Sequence, residues 1–260
     1  MCNLLNISRA LVYYTHKPSS VDYTLHNLVI KIFNDSRSNY GSRKIKVELA
    51  KLDHIVSRRL ITRIMKLYGL VSNYTVKQFK KPKASSNNSD IPNILDRNFL
   101  NRKCLEVIIS DLTYVRVINN WAYVCLIICL FNREIVGHSA SYHKDAHLVV
   151  SAFSSIRYDL NFVDIFHSDR GKEFDNKIID DVLVNFNIHR PLSNKGNPYD
   201  NAVAEATYKI FKTEFCFNRT FDSLQQLQSE LFDYVNWFNY IRIHGSLDYL
   251  SPIQYKTVHL

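Results

Sequence analysis

Val107-Ile108-Ile109-Ser110-Asp111-Leu112-Thr113-Tyr114 reads as a strand with an aspartate in its middle. Strand interiors disfavour Asp, and a carboxylate among Val, Ile and Leu is costly unless it has a partner. The bland alternative is an edge position, or a strand that stops early. Working outward, strands are predicted over 104–117, 120–131 and 134–142, with turns at Asn119-Asn120 and Asn132-Arg133. A helix over 145–159, a strand over 162–168 and a helix over about 174–186 follow. Pro191 to Pro198 is a loop, and helices span about 200–216 and 223–240. Three strands in hairpin order, then alternating helix and strand, predict an α/β fold with a mixed sheet covered by helices.

Upstream the periodicity changes. Leu25, Leu28, Val29, Ile32 and Phe33 recur at helical spacing, as do Leu60, Ile61, Ile64, Met65 and Tyr68. Tyr40-Gly41-Ser42 marks a break, with Ser42 capping a helix from Arg43 to Ala50. Ser57 caps another helix that ends near Gly69. Arg43, Lys44, Lys46, Arg58, Arg59, Arg63 and Lys66 stud this region. Short helices with such charges suit a helix-turn-helix on a DNA backbone, or equally a small bundle with a solvated basic face. The division expected is a helical, DNA-contacting region at 1–79, a basic polar linker at 80–97, and a catalytic domain with a C-terminal helical extension at 98–260.

The chain has 260 residues, 46% of them apolar, and a formal net charge of +9. That apolar share supports a real core and excludes a disordered chain, while the charge favours a polyanionic partner. Five cysteines without a Cys-x-x-Cys pair fit a reducing compartment better than a disulfide framework. Cys125 and Cys129 sit in an apolar segment and are expected in the core. Zinc-finger spacing is missing from the His and Cys residues. The longest apolar stretch, Trp121 to Phe131, is too short to cross a bilayer as a helix, and no signal peptide is visible.

Two further acids share the setting of Asp111. Asp169 follows the strand ending in His167-Ser168 and precedes Arg170-Gly171, where the glycine permits a sharp turn. Glu205 opens a helix after Pro198-Tyr199-Asp200-Asn201-Ala202-Val203-Ala204. Singly, these are also an ordinary turn Asp and a solvated helix Glu. Gathered together they imply a cation, because two carboxylates about 4 Å apart repel by roughly 4 kcal/mol at an effective dielectric near 20. Hard oxygen ligands select Mg2+ or Mn2+. Lys209 and Lys212, four and seven positions after Glu205, share its helical face and suit phosphates flanking the metal. Simple pairing of Glu205 with Lys209 is the modest alternative. Asn201 suits a helix cap or a DNA contact.

These words together resemble the DDE transposases of bacterial insertion sequences with two overlapping reading frames, whose core is similar to retroviral integrase. The matching motifs are Ser110-Asp111-Leu112-Thr113-Tyr114, His167-Ser168-Asp169-Arg170-Gly171, and Gly196-Asn197-Pro198-Tyr199-Asp200-Asn201-Ala202-Val203-Ala204-Glu205 continuing through Lys212-Thr213-Glu214. Arg242-Ile243-His244-Gly245-Ser246-Leu247 with Ser251-Pro252, and Tyr40-Gly41-Ser42-Arg43-Lys44-Ile45, match further family regions. Ile108 stands where the family commonly has Trp.

The resemblance implies a ribonuclease H-like, five-stranded mixed sheet flanked by helices and preceded by a small helix-turn-helix-like domain. It implies Asp111, Asp169 and Glu205 as catalytic ligands of two Mg2+ (or Mn2+) ions. It also implies Lys209, Lys212, Asn201, Arg43 and Lys44 as DNA contacts, and element ends and target DNA as substrates. A homo-oligomer on DNA in the bacterial cytoplasm is the expected active form. The chain starts where the family's second frame starts, so an upstream-frame protein or fusion is an expected partner. A metal-dependent nuclease without strand transfer, and a non-catalytic DNA-binding regulator or remnant, are the competing functions.

Overall fold

A computed structural model describes residues 2, 8, 23–75, 103–118, 120–168, 171–190, 202–217 and 219–260. The expected linker, Asp169 and Asn201 lie outside the described residues.

Three helices come first: α1 (Tyr23–Asp35), α2 (Ser42–Lys51) and α3 (Arg58–Leu67). Leu25, Val29, Ile32 and Phe33 of α1 are buried, as the helical spacing predicts. They close a core with Ile45 and Leu49 of α2 and with Ile61, Ile64 and Met65 of α3. Ser57 caps α3 by accepting from the Leu60 N–H, while Gly69 takes the left-handed conformation (φ 64°) just past its end. One boundary differs from expectation. Ser42 lies inside α2, and the N-cap is Gly41, which has no side chain to accept a hydrogen bond.

The sheet contains β1 (Val107–Val117), β2 (Asn120–Cys129), β3 (Ile135–Ser141) and β4 (Ile165–Ser168), in the order β3-β2-β1-β4. The first three run antiparallel, and β4 is parallel to β1. Helices α4 (Ala146–Ser154) and α5 (Lys177–Asn185) lie between β3 and the later segment. That segment comprises α6 (Ala202–Phe211), a π-helical turn (Lys212–Cys216), α7 (Leu224–Tyr240) and α8 (Pro252–His259).

Strand alternation divides the core into two layers. Val107, Ile109, Val124, Leu126 and Ile128 face Ala204, Tyr208, Phe211 and the aromatic residues of α7. Ile108, Cys125, Ile127 and Cys129 face α4 and α5. Cys125 and Cys129 are thus core residues, as expected, and their thiols are free.

The mixed, helix-covered sheet matches expectation, but the count of five strands is corrected to four among the described residues. The fifth place, beyond β4, holds only a bridge between Ile165 and His189. The His189 N–H donates to Asp164 O, and the Phe166 N–H donates to His189 O.

The helical module is bound to the sheet-and-helix core by specific contacts. The Tyr40 hydroxyl accepts from the Ile243 N–H at 2.8 Å, and the Trp237 indole donates to Asp35 O at 3.0 Å. Arg37 pairs with Asp233 at 2.6 Å, and Ile243 itself belongs to the helical module's apolar cluster.

Candidate active site

Asp111 lies where β1 loses one neighbour. Register with β4 runs from Val107↔Ile165 to Ser110↔Ser168, so Asp111 is the first β1 residue beyond that pairing. On its other side Asp111 pairs with Leu126 of β2. Alternation turns its side chain toward the α6 layer, since Ile109 and Val115 face that way. The carboxylate is half-buried, and Oδ1 accepts from the Leu112 N–H at 2.7 Å. Ser168, the residue before Asp169 in the chain, is paired with the residue before Asp111.

The device that docks α6 here is Tyr208, which sequence reasoning did not single out. Its hydroxyl donates to the Asp111 carbonyl and accepts from the Leu126 N–H at 2.7 Å. These are the two backbones of one β1–β2 pair, so a helix side chain is inserted into the ladder beside the expected metal ligand. Burial, then the nearby Cys125 and Asp111, hold the Tyr208 phenol well above its usual pKa, so it remains a donor. Glu205 lies one turn before Tyr208 and is exposed. The only sequence signal for Tyr208 is an aromatic at core spacing, which does not announce a hydrogen bond to a strand.

Lys209 and Lys212 are exposed on the same stretch, and the Lys212 ammonium lies 5.4 Å from the centroid of the Tyr114 ring. The expected helix over 200–216 changes its winding at Lys212, where the π-helical turn begins. Thr213 donates to Lys209 O, and Thr213, Glu214 and Phe215 are all buried. Arg43 is exposed on α2 and Lys44 is half-buried. They belong to the helical module, apart from the acids.

Two neighbours of the site were also missed. Glu173 is buried, and its carboxylate lies 2.9 Å from the Lys144 ammonium. A Cβ at position 171 would meet that carboxylate, so a larger residue there would have to shift the Glu173 side chain. Ser110 Oγ donates to Leu126 O and lies 3.4 Å from Cys125 Sγ. Burial pushes the Cys125 thiol up to about 12, with Asp111 and Glu173 adding to the rise, which makes it a poor nucleophile.

The donor chemistry fits a hard divalent ion. Asp111 supplies carboxylate oxygens from β1 and Glu205 from the first turn of α6, and Glu205 has no salt-bridge partner among the described residues. The Ser168 hydroxyl is buried at the end of β4 without a hydrogen-bond partner. Among the described residues no three His, Cys, Asp or Glu side chains gather as a metal set. Asp169, the third acid of the expected set, is outside them. Among the described residues no helix is long and apolar enough to cross a membrane.

Residues 102–198 and 205–260 each match a family described as "Integrase core domain", and residues 21–78 match "HTH-like domain". Over 231 residues the chain is 26% identical to the putative transposase InsK for insertion sequence element IS150 of Escherichia coli, covering 88% of this chain and 81% of that protein. It is 28% identical over 231 residues to the transposase for insertion sequence element IS904 of Lactococcus lactis, covering 86% and 90%. Among solved structures it is similar to the HTLV-2 integrase catalytic core domain in complex with magnesium, at 12% identity and a TM-score of 0.40. That match covers 58% of this chain and 95% of the other.

Proposed function

The chain belongs to the insertion-sequence transposases, with an integrase core and an HTH-like module, and from that premise we propose that it catalyses metal-dependent DNA strand cleavage and strand transfer. The observation that carries the residue assignment is the Tyr208 hydroxyl in the β1–β2 ladder at Asp111, which fixes the helix of Glu205 against the strand of Asp111. Asp111, Asp169 and Glu205 are the ligands in this reading. Two Mg2+ or Mn2+ ions on these carboxylates would polarise the scissile phosphodiester and stabilise charge on the leaving 3′-oxygen.

The protein's own residues do the rest. Asp111 and Glu205 present oxygens from a rigid strand and helix, so little rearrangement accompanies the reaction. Lys209 and Lys212 neutralise phosphates flanking the cut. Water as nucleophile gives cleavage, and a DNA 3′-hydroxyl gives strand transfer. Neither route forms a covalent bond to the enzyme, consistent with the inert Cys125 and the protonated Tyr208 beside the acids. Asn201, Arg43 and Lys44 complete the proposed DNA contacts. Assembly as a homo-oligomer on element ends, with an upstream-frame protein or fusion, belongs to the same proposal.

The test uses an element-end duplex with a labelled 3′-end and a target duplex, with Mg2+. Wild-type protein cuts and joins the label to the target. Asp111→Asn and Glu205→Gln bind the duplex but do neither. Either variant cutting at the wild-type rate would overturn the assignment. Cleavage without joining would reduce the function to that of a nuclease.

A further inference from the structure

The seam between the helical module and the core holds an open pocket of about 510 Å³. Its wall carries Arg43 and Lys44 from the first turn of α2, Arg242 from the C-terminal segment and Ile210 from α6. Arg43 and Lys44 face this space beside an Arg242 that is already paired. The nearby carboxylate, Glu214, is already committed: Arg242 Nε and Nη2 donate to it at 2.8–2.9 Å, and the Tyr74 hydroxyl donates at 2.5 Å. Arg43 and Lys44 are thus left without a carboxylate partner among the described residues.

Two further features supply donors without acceptors. The N-terminus of α2 opens on this pocket at Gly41, and no side chain caps it. Helix geometry leaves its first N–H groups without intrahelical acceptors, at the positive end of the dipole. Asn39 also lines the pocket. It is 3% exposed, and its Nδ2 has no hydrogen-bond partner. An uncapped helix start and a buried amide donor without an acceptor therefore adjoin Arg43 and Lys44. A tetrahedral oxyanion has the acceptor oxygens that such donors call for.

We propose that this pocket is a phosphate-binding site that takes one backbone phosphate of duplex DNA at the seam between the helical module and the catalytic core. The inference rests on the DNA-strand-transfer reading above and deepens it by giving Arg43 and Lys44 one shared ligand. Burial and the nearby Arg242 push the Lys44 ammonium down to about 7, and an anion in the pocket would oppose both. Ile210 and Arg242 place the phosphate against elements that also fix α6, so DNA on the helical module bears directly on the helix of Glu205.

Gly41 gives the test. Its backbone is extended (φ −89°, ψ 175°), and a Cβ there meets nothing within 4 Å. Gly41→Asp should therefore fold, cap α2 and put a carboxylate where the phosphate would lie. Gly41→Ser caps without adding charge. Binding of a fluorescent duplex is measured by anisotropy across a salt series, and thermal shifts are read with inorganic phosphate. The expected result is a Kd about tenfold weaker for Gly41→Asp, with a salt slope lower by about 0.9, and a smaller change for Gly41→Ser. Phosphate should raise the Tm of wild-type protein but not of Gly41→Asp.

Equal affinity and slope for wild-type protein and Gly41→Asp would overturn the proposal. A phosphate shift in the wild-type with unaltered DNA binding in Gly41→Asp would assign the pocket to free phosphate instead, and would overturn it too. Failure of wild-type protein to bind any duplex would sink the strand-transfer reading as well, and so differs from a failure confined to the Gly41 comparison.

Discussion

Glu205 and Glu214 lie nine positions apart on one continuous helical stretch and meet opposite fates. Glu214 has a fully buried side chain, and both its oxygens accept from Arg242 while the Tyr74 and Tyr234 hydroxyls complete its shell. Burial, which would lower the Arg242 pKa, is outweighed by Glu214, and the guanidinium is held above its ordinary value. Glu205 is exposed, one turn before the Tyr208 that bonds the Asp111 backbone, with no cation of the protein as its salt-bridge partner among the described residues. A buried carboxylate with every lone pair satisfied serves the fold. An exposed one, on the helix that Tyr208 ties to the strand of Asp111, is the one proposed to hold a ligand from outside.

The sharpest way to break this contrast is a charge-only change at each position. Glu205→Gln should take strand cleavage below detection while leaving the denaturation midpoint nearly unchanged. A collapse of stability instead would make Glu205 a structural residue. Glu214→Gln should do the reverse at first order, costing about 3–5 kcal/mol in urea unfolding because Arg242 is left buried and unpaired. The double variant Glu214→Leu with Arg242→Met should regain much of that loss, since replacing a whole buried pair is far less costly than halving it. A double variant no better than the single one would mean that Glu214 is needed for itself.

The sequence made one member of this contrast visible and hid the other. Asp111 stands in a word that reads as a strand interior and Glu205 in one that reads as a helix start, and the structure puts them on β1 and in the first turn of α6. The three hairpin strands, α1 and α3 were likewise legible from alternation and helical spacing. The Glu214–Arg242 pair joins residues 28 apart, and Tyr208 inserts into a ladder 97 residues away from its acceptor, so no local pattern announces either. The π-helical turn that brings Glu214 inward has no sequence period of its own. Helix α8 carries its start signal locally: Ser251-Pro252-Ile253-Gln254 forms a capping box with proline at the helix start. His244, whose motif gave no role, is buried edge-on against Phe238 and held well below its usual pKa by burial, then by Arg242.

Tyr208→Phe tests the link between the two ends of the stretch. It removes a hydroxyl that satisfies the Leu126 N–H, for a loss of about 1–3 kcal/mol. If the bond also holds Glu205 in place, the Mg2+ concentration needed for half-maximal cleavage should rise, while that for duplex binding without metal should not. A stability loss with unchanged Mg2+ dependence would leave Tyr208 as a packing residue only.

The smallest expected effect comes from Lys44, at the seam that Glu214 anchors. Its ammonium lies 4.8 Å from the centroid of the Tyr40 ring, and burial, then Arg242, lower its pKa to about 7, with Glu214 opposing them. Between about pH 7 and the ordinary lysine range the unfolded chain holds a proton that the folded chain has released. Stability should therefore rise with pH from about 7 upward and fall as pH drops toward 7, with the single-proton ceiling of about 1.4 kcal/mol per pH unit. Partial exposure and salt reduce the slope further. His244 is held neutral and titrates lower, so it does not contribute in this window. Urea unfolding from pH 7 to 9 should show the rise in wild-type protein and a flatter profile in Lys44→Met. Inorganic phosphate should flatten the wild-type profile as well, because an anion in the seam keeps the folded ammonium charged. A wild-type profile as flat as that of Lys44→Met would mean that the ammonium stays charged without any anion.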